Sequence, residues 1–231
     1  MDNKKILSMV DHTLLKQTAT WEDIKVVLDK AIENDCASAC IPPCYVPQAN
    51  YYVNGNLTIC TVIGFPNGYS ATEVKCFETK QAIMDGAGEI DMVINIGWVK
   101  AREFDKVRKE IEDIRKICNS HIVKVPLKVI IETCLLTNEE IRRLCHIIDA
   151  AGADYVKTST GFSTAGATPE VMAVIKEEVD EINKVNAWGS FYPNRERLLI
   201  KASGGIKNFD DAKMYVEEYG ANRLGTSRLI N

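Results

Sequence analysis

No stretch of this 231-residue chain approaches the roughly 20 consecutive apolar residues that a membrane-spanning helix requires, so no transmembrane segment is expected. Met1 to Val10 contain neither a long apolar core nor a cleavage site, which argues against a secretory signal. Charge of one sign is also missing in bulk. Lys and Arg total 28 against 32 Asp and Glu, a net charge of −4, with no basic block and no acidic tail. That balance offers nothing to a nucleic-acid backbone or an anionic membrane surface. No linker and no shift of composition interrupts the chain, so a single domain over residues 1–231 is expected.

Histidine is scarce, with three in all, and this bears on the eight cysteines at 36, 40, 44, 60, 76, 118, 134 and 145. Cys36, Cys40 and Cys44 recur every four residues, a spacing that invites a metal site. Pro42 and Pro43 break any helix that would align them, and no histidine lies nearby. The expectation is no metal and no cofactor, only buried thiols in a reducing, cytoplasmic setting.

Apolar strand-like runs alternate with amphipathic helical stretches from end to end. Strands are expected over Leu57–Ile63, Glu89–Ile96, Leu127–Thr133, Tyr155–Thr158, Leu198–Ala202 and Arg223–Gly225, with shorter ones at Leu7–Val10 and Ser38–Ile41. Helical patterns occupy Trp21–Asn34, Thr72–Asp85, Glu103–Cys118, Asn138–Ala151, Pro169–Asn183 and Phe209–Tyr219. Parallel strands need crossover helices, so this alternation predicts an α/β fold with a parallel sheet. Gly86, Gly152 and Gly220 each lie between a helix end and a strand. Their near-equal spacing, about two βα units each, favours a (β/α)8 TIM barrel over an open sheet. Val185–Glu196 reads as a surface loop.

Lys157, in Tyr-Val-Lys-Thr-Ser-Thr-Gly, and Lys201, in Leu-Ile-Lys-Ala-Ser-Gly-Gly, each end a short strand-like run and are followed at once by small residues. Strand ends that run into such loops are where barrels keep their chemistry. Alternation places Asp91, Val93 and Asn95 on one strand face, Tyr155, Lys157 and Ser159 on another, and Leu199, Lys201 and Ser203 on a third. An unpaired charge facing the outer helices is costly, so Asp91, Lys157 and Lys201 are expected in the lumen near its mouth. A second cation beside a partly desolvated lysine favours the neutral amine that attacks a carbonyl. A lumen salt bridge without chemistry is the alternative. Thr160-Gly161, Gly204-Gly205 and Gly225-Thr226-Ser227 follow the last three strands, where backbone N–H groups of barrel loops cradle phosphate.

Seven stretches, in order, carry a resemblance. They are Val-Asp-His-Thr-Leu-Leu-Lys (10–16), Val-Ile-Gly-Phe-Pro-Asn-Gly (62–68), Gly-Glu-Ile-Asp-Met-Val-Ile-Asn-Ile-Gly (88–97), Lys-Val-Ile-Ile-Glu-Thr (128–133), Val-Lys-Thr-Ser-Thr-Gly-Phe (156–162), Lys-Ala-Ser-Gly-Gly-Ile (201–206) and Arg-Leu-Gly-Thr-Ser (223–227). Through them the chain resembles the deoxyribose-phosphate aldolase family over essentially its whole length. The resemblance implies a metal-independent class I aldolase that reversibly cleaves 2-deoxy-D-ribose 5-phosphate to glyceraldehyde 3-phosphate and acetaldehyde. It makes Lys157 the imine-forming residue, Lys201 its neighbouring cation and Asp91 an acid/base working through a water. By the same resemblance Asp11 and Thr13 help place these groups and the sugar hydroxyls. Thr160, Gly161, Gly204, Gly205, Gly225, Thr226 and Ser227 fall at the phosphate and substrate end. A homodimer or homotetramer is implied as well.

The family continues past Ser227 with another small residue and a helix. Here Arg228 follows and the sequence stops at Asn231, so the final helix is expected to be nearly absent; Arg228 either strengthens the phosphate grip or, the preferred reading, is a solvated end charge. Glu132 and Lys128 are expected to line the lumen as supporting charges. Cys40 reads as packing, His12 has no assigned role, and Trp21, Trp98 and Trp188 read as packing or loop anchors. A transaldolase-like or keto-acid aldolase, or a non-catalytic phosphosugar-binding barrel, are the rival readings.

Overall fold

The structure is a computed structural model that describes residues 1–120, 124–187 and 197–230. Eight parallel strands close into a barrel in chain order. They are β1 (Val10–Thr13), β2 (Ser38–Ile41), β3 (Ile59–Ile63), β4 (Glu89–Val93), β5 (Leu127–Ile130), β6 (Tyr155–Lys157), β7 (Leu199–Ser203) and β8 (Arg223–Thr226). Helix α1 (Asn3–Leu7) precedes β1. Between successive strands run α2 (Trp21–Glu33), α3 (Val46–Val53), α4 (Thr72–Met84), α5 (Ile96–Lys100) with α6 (Phe104–Asn119), α7 (Asn138–Ala150), α8 (Pro169–Ala187) and α9 (Phe209–Glu217). The (β/α)8 expectation is met. No helix among the described residues follows β8, and none is long and apolar enough to cross a membrane.

Two chemistries separate across each strand because side chains alternate. On β4, Ile90 and Met92 join the large apolar shell beneath the helices, while Glu89 and Asp91 point into the barrel. On β5, Leu127 and Val129 face outward and Lys128 inward. Helix starts carry their own signals. Thr20 with Asp23, and Thr137 with Glu140, form reciprocal capping boxes, and Asn208 accepts the N–H of Asp211. Gly86, Gly152 and Gly220 take φ of 103°, 77° and 68°, as their helix-ending positions require.

Several boundaries differ from the sequence reading. Leu7, expected to open the first strand, instead ends a helix over residues 3–7 that Asp2 caps by accepting the N–H of Lys5. The first strand therefore begins at Val10 and carries Asp11 in its middle. The fourth strand stops at Val93, and Asn95 caps α5 by accepting the Trp98 N–H at 3.3 Å rather than sharing a lumen face with Asp91. The fifth ends at Ile130, and a short 3-10 turn occupies Thr133–Leu135. Helix α3 escaped notice because Pro42, Pro43 and Pro47 mask its periodicity; Pro47 sits in its first turn, where a missing N–H costs nothing. Of the loop expected over 185–196, residues 185–187 belong to α8. Trp188 to Glu196 lie outside the described residues.

Candidate active site

The barrel lumen is filled by charge. Asp11, Asp91, Lys128 and Lys201 are fully buried, and Lys157 and Glu89 are nearly so, at 3% and 6% exposure. Strand register brings them together: Asp91 lies beside Lys128, Lys157 beside Lys201, and Lys201 beside Arg223. At the bottom, Arg223 forks onto Glu89 at 3.0 and 3.1 Å, and Lys128 meets Glu89 at 2.7 Å. Above, Lys128 donates to Asp91 Oδ1 at 2.8 Å, and Arg223 and Ser38 donate to Asp11 Oδ1 at 2.6 and 2.7 Å. Lys201 donates to Asp11 Oδ2 and, at 2.6 Å, to Asp91 Oδ2. Lys157 donates to that same Asp91 oxygen at 2.6 Å.

Burial by itself would raise the Asp91 pKa, but Lys128, Lys157 and Lys201 outweigh it and hold the carboxyl well below the usual carboxylate range. Asp11 is held low in the same way by Lys201, Lys128 and Arg223 against its own burial. Burial likewise works against the charge on Lys201, yet Asp11 and Asp91 prevail and push it up. Lys128 is raised further by Asp91, Cys60 and Glu89. At rest these groups favour their charged forms. The groupings Cys40–Cys60–Asp91 and Asp11–Cys60–Glu89 are compact enough to suggest a cation site, but lysine and arginine nitrogens already hold their carboxylates.

A cavity of about 500 Å³ opens at the C-terminal mouth, and Lys157 is the one member of the charged cluster on its wall. Asp91, Lys201 and Asp11 lie beneath that wall. Thr13, Thr160, Gly161, Gly204, Gly205, Gly225, Thr226 and Ser227 all line the cavity, so every residue expected at the substrate and phosphate end except Asp11 is brought there. Two hydroxyls are already engaged: Thr13 donates to the Asp11 carbonyl at 2.7 Å and Thr226 to the Ile206 carbonyl at 3.0 Å. The N–H groups of Gly161, Gly204 and Gly205 have no protein acceptor among the described residues. Gly204, at φ 75°, is glycine for a second reason: a side chain on it would drive into the Gly166 backbone, whose Cα would lie 2.8 Å from the added carbon.

Three exposed cations, Lys16, Lys207 and Arg228, complete this end of the cavity. Arg228, expected as a solvated end charge with a phosphate grip as the alternative, is exposed and stands at the cavity mouth. Lys16 and Lys207 were not singled out, although each directly follows or closes a stretch already recognised, 10–16 and 201–206. Lys128 lines the lumen as expected. Glu132 does not; it sits beyond β5 and holds Thr160. Cys40 is fully buried and off the cavity wall, Cys36 is half-buried and Cys44 exposed, so the three share no site.

With this geometry in hand, the likenesses are specific. The model of the DeoC/LacD family aldolases matches residues 5–225. A deoxyribose-phosphate aldolase of Streptococcus pyogenes serotype M28 is 52% identical over 230 residues, spanning 100% of this chain and 94% of the relative. The tetrameric deoxyribose phosphate aldolase of Aeropyrum pernix superposes with a TM-score of 0.84 at 30% identity, covering 97% of this chain and 87% of that one. An aldolase designated QR15 superposes equally well, TM-score 0.84 at 33% identity over 96% of this chain and 91% of its own. The family model's match over residues 5–225, on a barrel whose buried charge cluster sends one lysine to the cavity, makes this protein a member of the DeoC/LacD family of aldolases.

Proposed function

We propose that the chain is a class I aldolase that reversibly cleaves 2-deoxy-D-ribose 5-phosphate to D-glyceraldehyde 3-phosphate and acetaldehyde, in the breakdown of deoxyribose phosphates. One observation carries the reading: among the lumen charges, Lys157 alone reaches the cavity, while Lys201 is pinned below by two carboxylates. The cluster counts three acids, Asp11, Glu89 and Asp91, against four bases, Lys128, Lys157, Lys201 and Arg223. Charge balance is met when one base is neutral, and the base with a single acidic partner is Lys157.

The neutral Nζ of Lys157 attacks the C1 carbonyl of the open-chain sugar. Loss of water from that adduct leaves an iminium, which accepts the electron pair released when the C2–C3 bond breaks. The C3 hydroxyl proton departs as the second carbonyl forms. Protonation of the enamine at C2 and hydrolysis then free acetaldehyde and Lys157. Asp91, touching both lysines through one oxygen, passes these protons, through a water where it does not reach the reacting atom. Lys201 keeps Asp91 ionised between turns. The phosphate lies against the free N–H groups of Gly161, Gly204 and Gly205, beside Thr226 and Ser227, with Lys16, Lys207 and Arg228 supplying positive charge. Thr13 and Gly225 border the sugar, and Asp11 acts from below by holding Lys201.

In this reading the iminium is the electron sink, so the chain needs no metal or other cofactor. The protein works in the cytoplasm as one barrel domain over residues 1–231, with a phosphorylated sugar as its partner rather than a nucleic acid, and as a homodimer or homotetramer. Acetaldehyde release from 2-deoxyribose 5-phosphate should be undiminished by excess chelator. Preferential cleavage of a 2-hydroxylated pentose phosphate, which would release glycolaldehyde instead, or loss of activity on chelation, would overturn the assignment.

A further inference from the structure

Glu132 is 4% exposed, and its carboxyl group lies outside the lumen cluster and takes no part in the steps above. Its backbone sits in the left-handed region at φ 50°, a conformation that disfavours glutamate. What the residue gains there is a grip on Thr160, with the Cys134 thiol a longer second contact, 4.0 Å from Oε1. The Thr160 N–H donates to Oε1 at 3.2 Å and the Thr160 hydroxyl donates to Oε2. The same hydroxyl oxygen accepts the Phe162 N–H at 3.0 Å. Of three successive N–H groups at 160–162, the outer two are thus satisfied internally, and the one left is that of Gly161, at φ 84° on the cavity wall. The far end of this connection is fastened separately, by the Ala167 N–H donating to the carbonyls of Ser203 and Gly204 at 3.0 and 3.1 Å.

We infer that Glu132 is a positioning residue that sets the Gly161 N–H for the substrate phosphate through its hold on Thr160. The inference rests on reading this cavity as a sugar-phosphate site. A plain staple between two strand ends would affect every substrate alike. A phosphate-positioning residue affects only those that carry phosphate.

The test compares wild type, Glu132→Gln and Glu132→Ala on 2-deoxyribose 5-phosphate and on unphosphorylated 2-deoxyribose, with inorganic phosphate as a competing inhibitor. Glu132→Ala should raise KM for the phosphate ester and weaken phosphate inhibition, each by about tenfold, with kcat and the activity on free deoxyribose nearly unchanged. Glu132→Gln, which keeps one acceptor for Thr160, should fall between. Thr160→Val should give the same selective KM rise, and the double variant should add little to it, which keeps the test open if Glu132→Ala fails to fold. Equal losses on both substrates, or no change on either, would overturn the inference. Borohydride trapping of acetaldehyde should proceed in every variant; failure in the wild type would instead discard the aldolase reading on which the inference stands.

Discussion

Asp91 Oδ2 is the atom on which the site turns, because Lys157 and Lys201 both donate to it. A bare cation beside a nucleophilic lysine would be a simple electrostatic device; a carboxylate held between two amines is also a path for protons. The sequence placed all three residues in the lumen from strand alternation alone, since none could face the helices without an unpaired buried charge. It did not reveal that Asp11 and Asp91 jointly hold Lys201, which requires β1, β4 and β7 to meet across the barrel. Removing Lys201 therefore does more than delete a charge. Lys201→Leu should lower kcat by about 100-fold or more and move the acidic limb of the pH–rate profile to higher pH, since Asp91 with one cation fewer is held less far below the usual carboxylate range. The same change leaves Asp11 and Asp91 less compensated, at a stability cost of about 3 kcal/mol or more. A slow variant with an unmoved pH profile would deny the coupling between these groups.

At the level of elements, periodicity found the long helices and most strands because one face of each is apolar and the other is not. It failed where local chemistry intervenes. Asp2 turns an apolar run into a helix, Asn95 stops β4, and α3 hides behind three prolines. Glu132 leaves the lumen for the same reason: the expected strand runs to Thr133, three residues past Ile130, where the chain has already turned. The connection after β6 shows what such turns are for, because Gly166 lies flat on Gly204. A Cβ on Gly166 would stand 2.3 Å from the Gly204 carbonyl carbon and 2.6 Å from its Cα, backbone atoms that cannot swing aside. Gly166→Ala should cost about 1–3 kcal/mol in thermal or denaturant unfolding and raise KM for the phosphorylated substrate as the two loops part. Wild-type stability and KM in this variant would show that the close approach has no bearing on the phosphate end.

For the molecule as a whole, barrel closure performs the decisive step. Residues from position 11 to position 223 meet in one ion cluster, and no pair within the cluster is closer in sequence than Glu89 and Asp91. The expected repeat of helix end, glycine and strand pointed to this closed architecture, and the positive φ of Gly86, Gly152 and Gly220 bears out its local basis. Closure buries the charges, and the mouth releases one of them to the cavity. That asymmetry among four bases is the central claim, and it can be read directly. Reduction with borohydride in the presence of acetaldehyde, followed by peptide mass mapping, should place a single ethyl group on Lys157 and nowhere else in the barrel, with labelling abolished in Lys157→Met. An ethyl group on Lys201 or Lys128, or labelling that survives the loss of Lys157, would contradict the account.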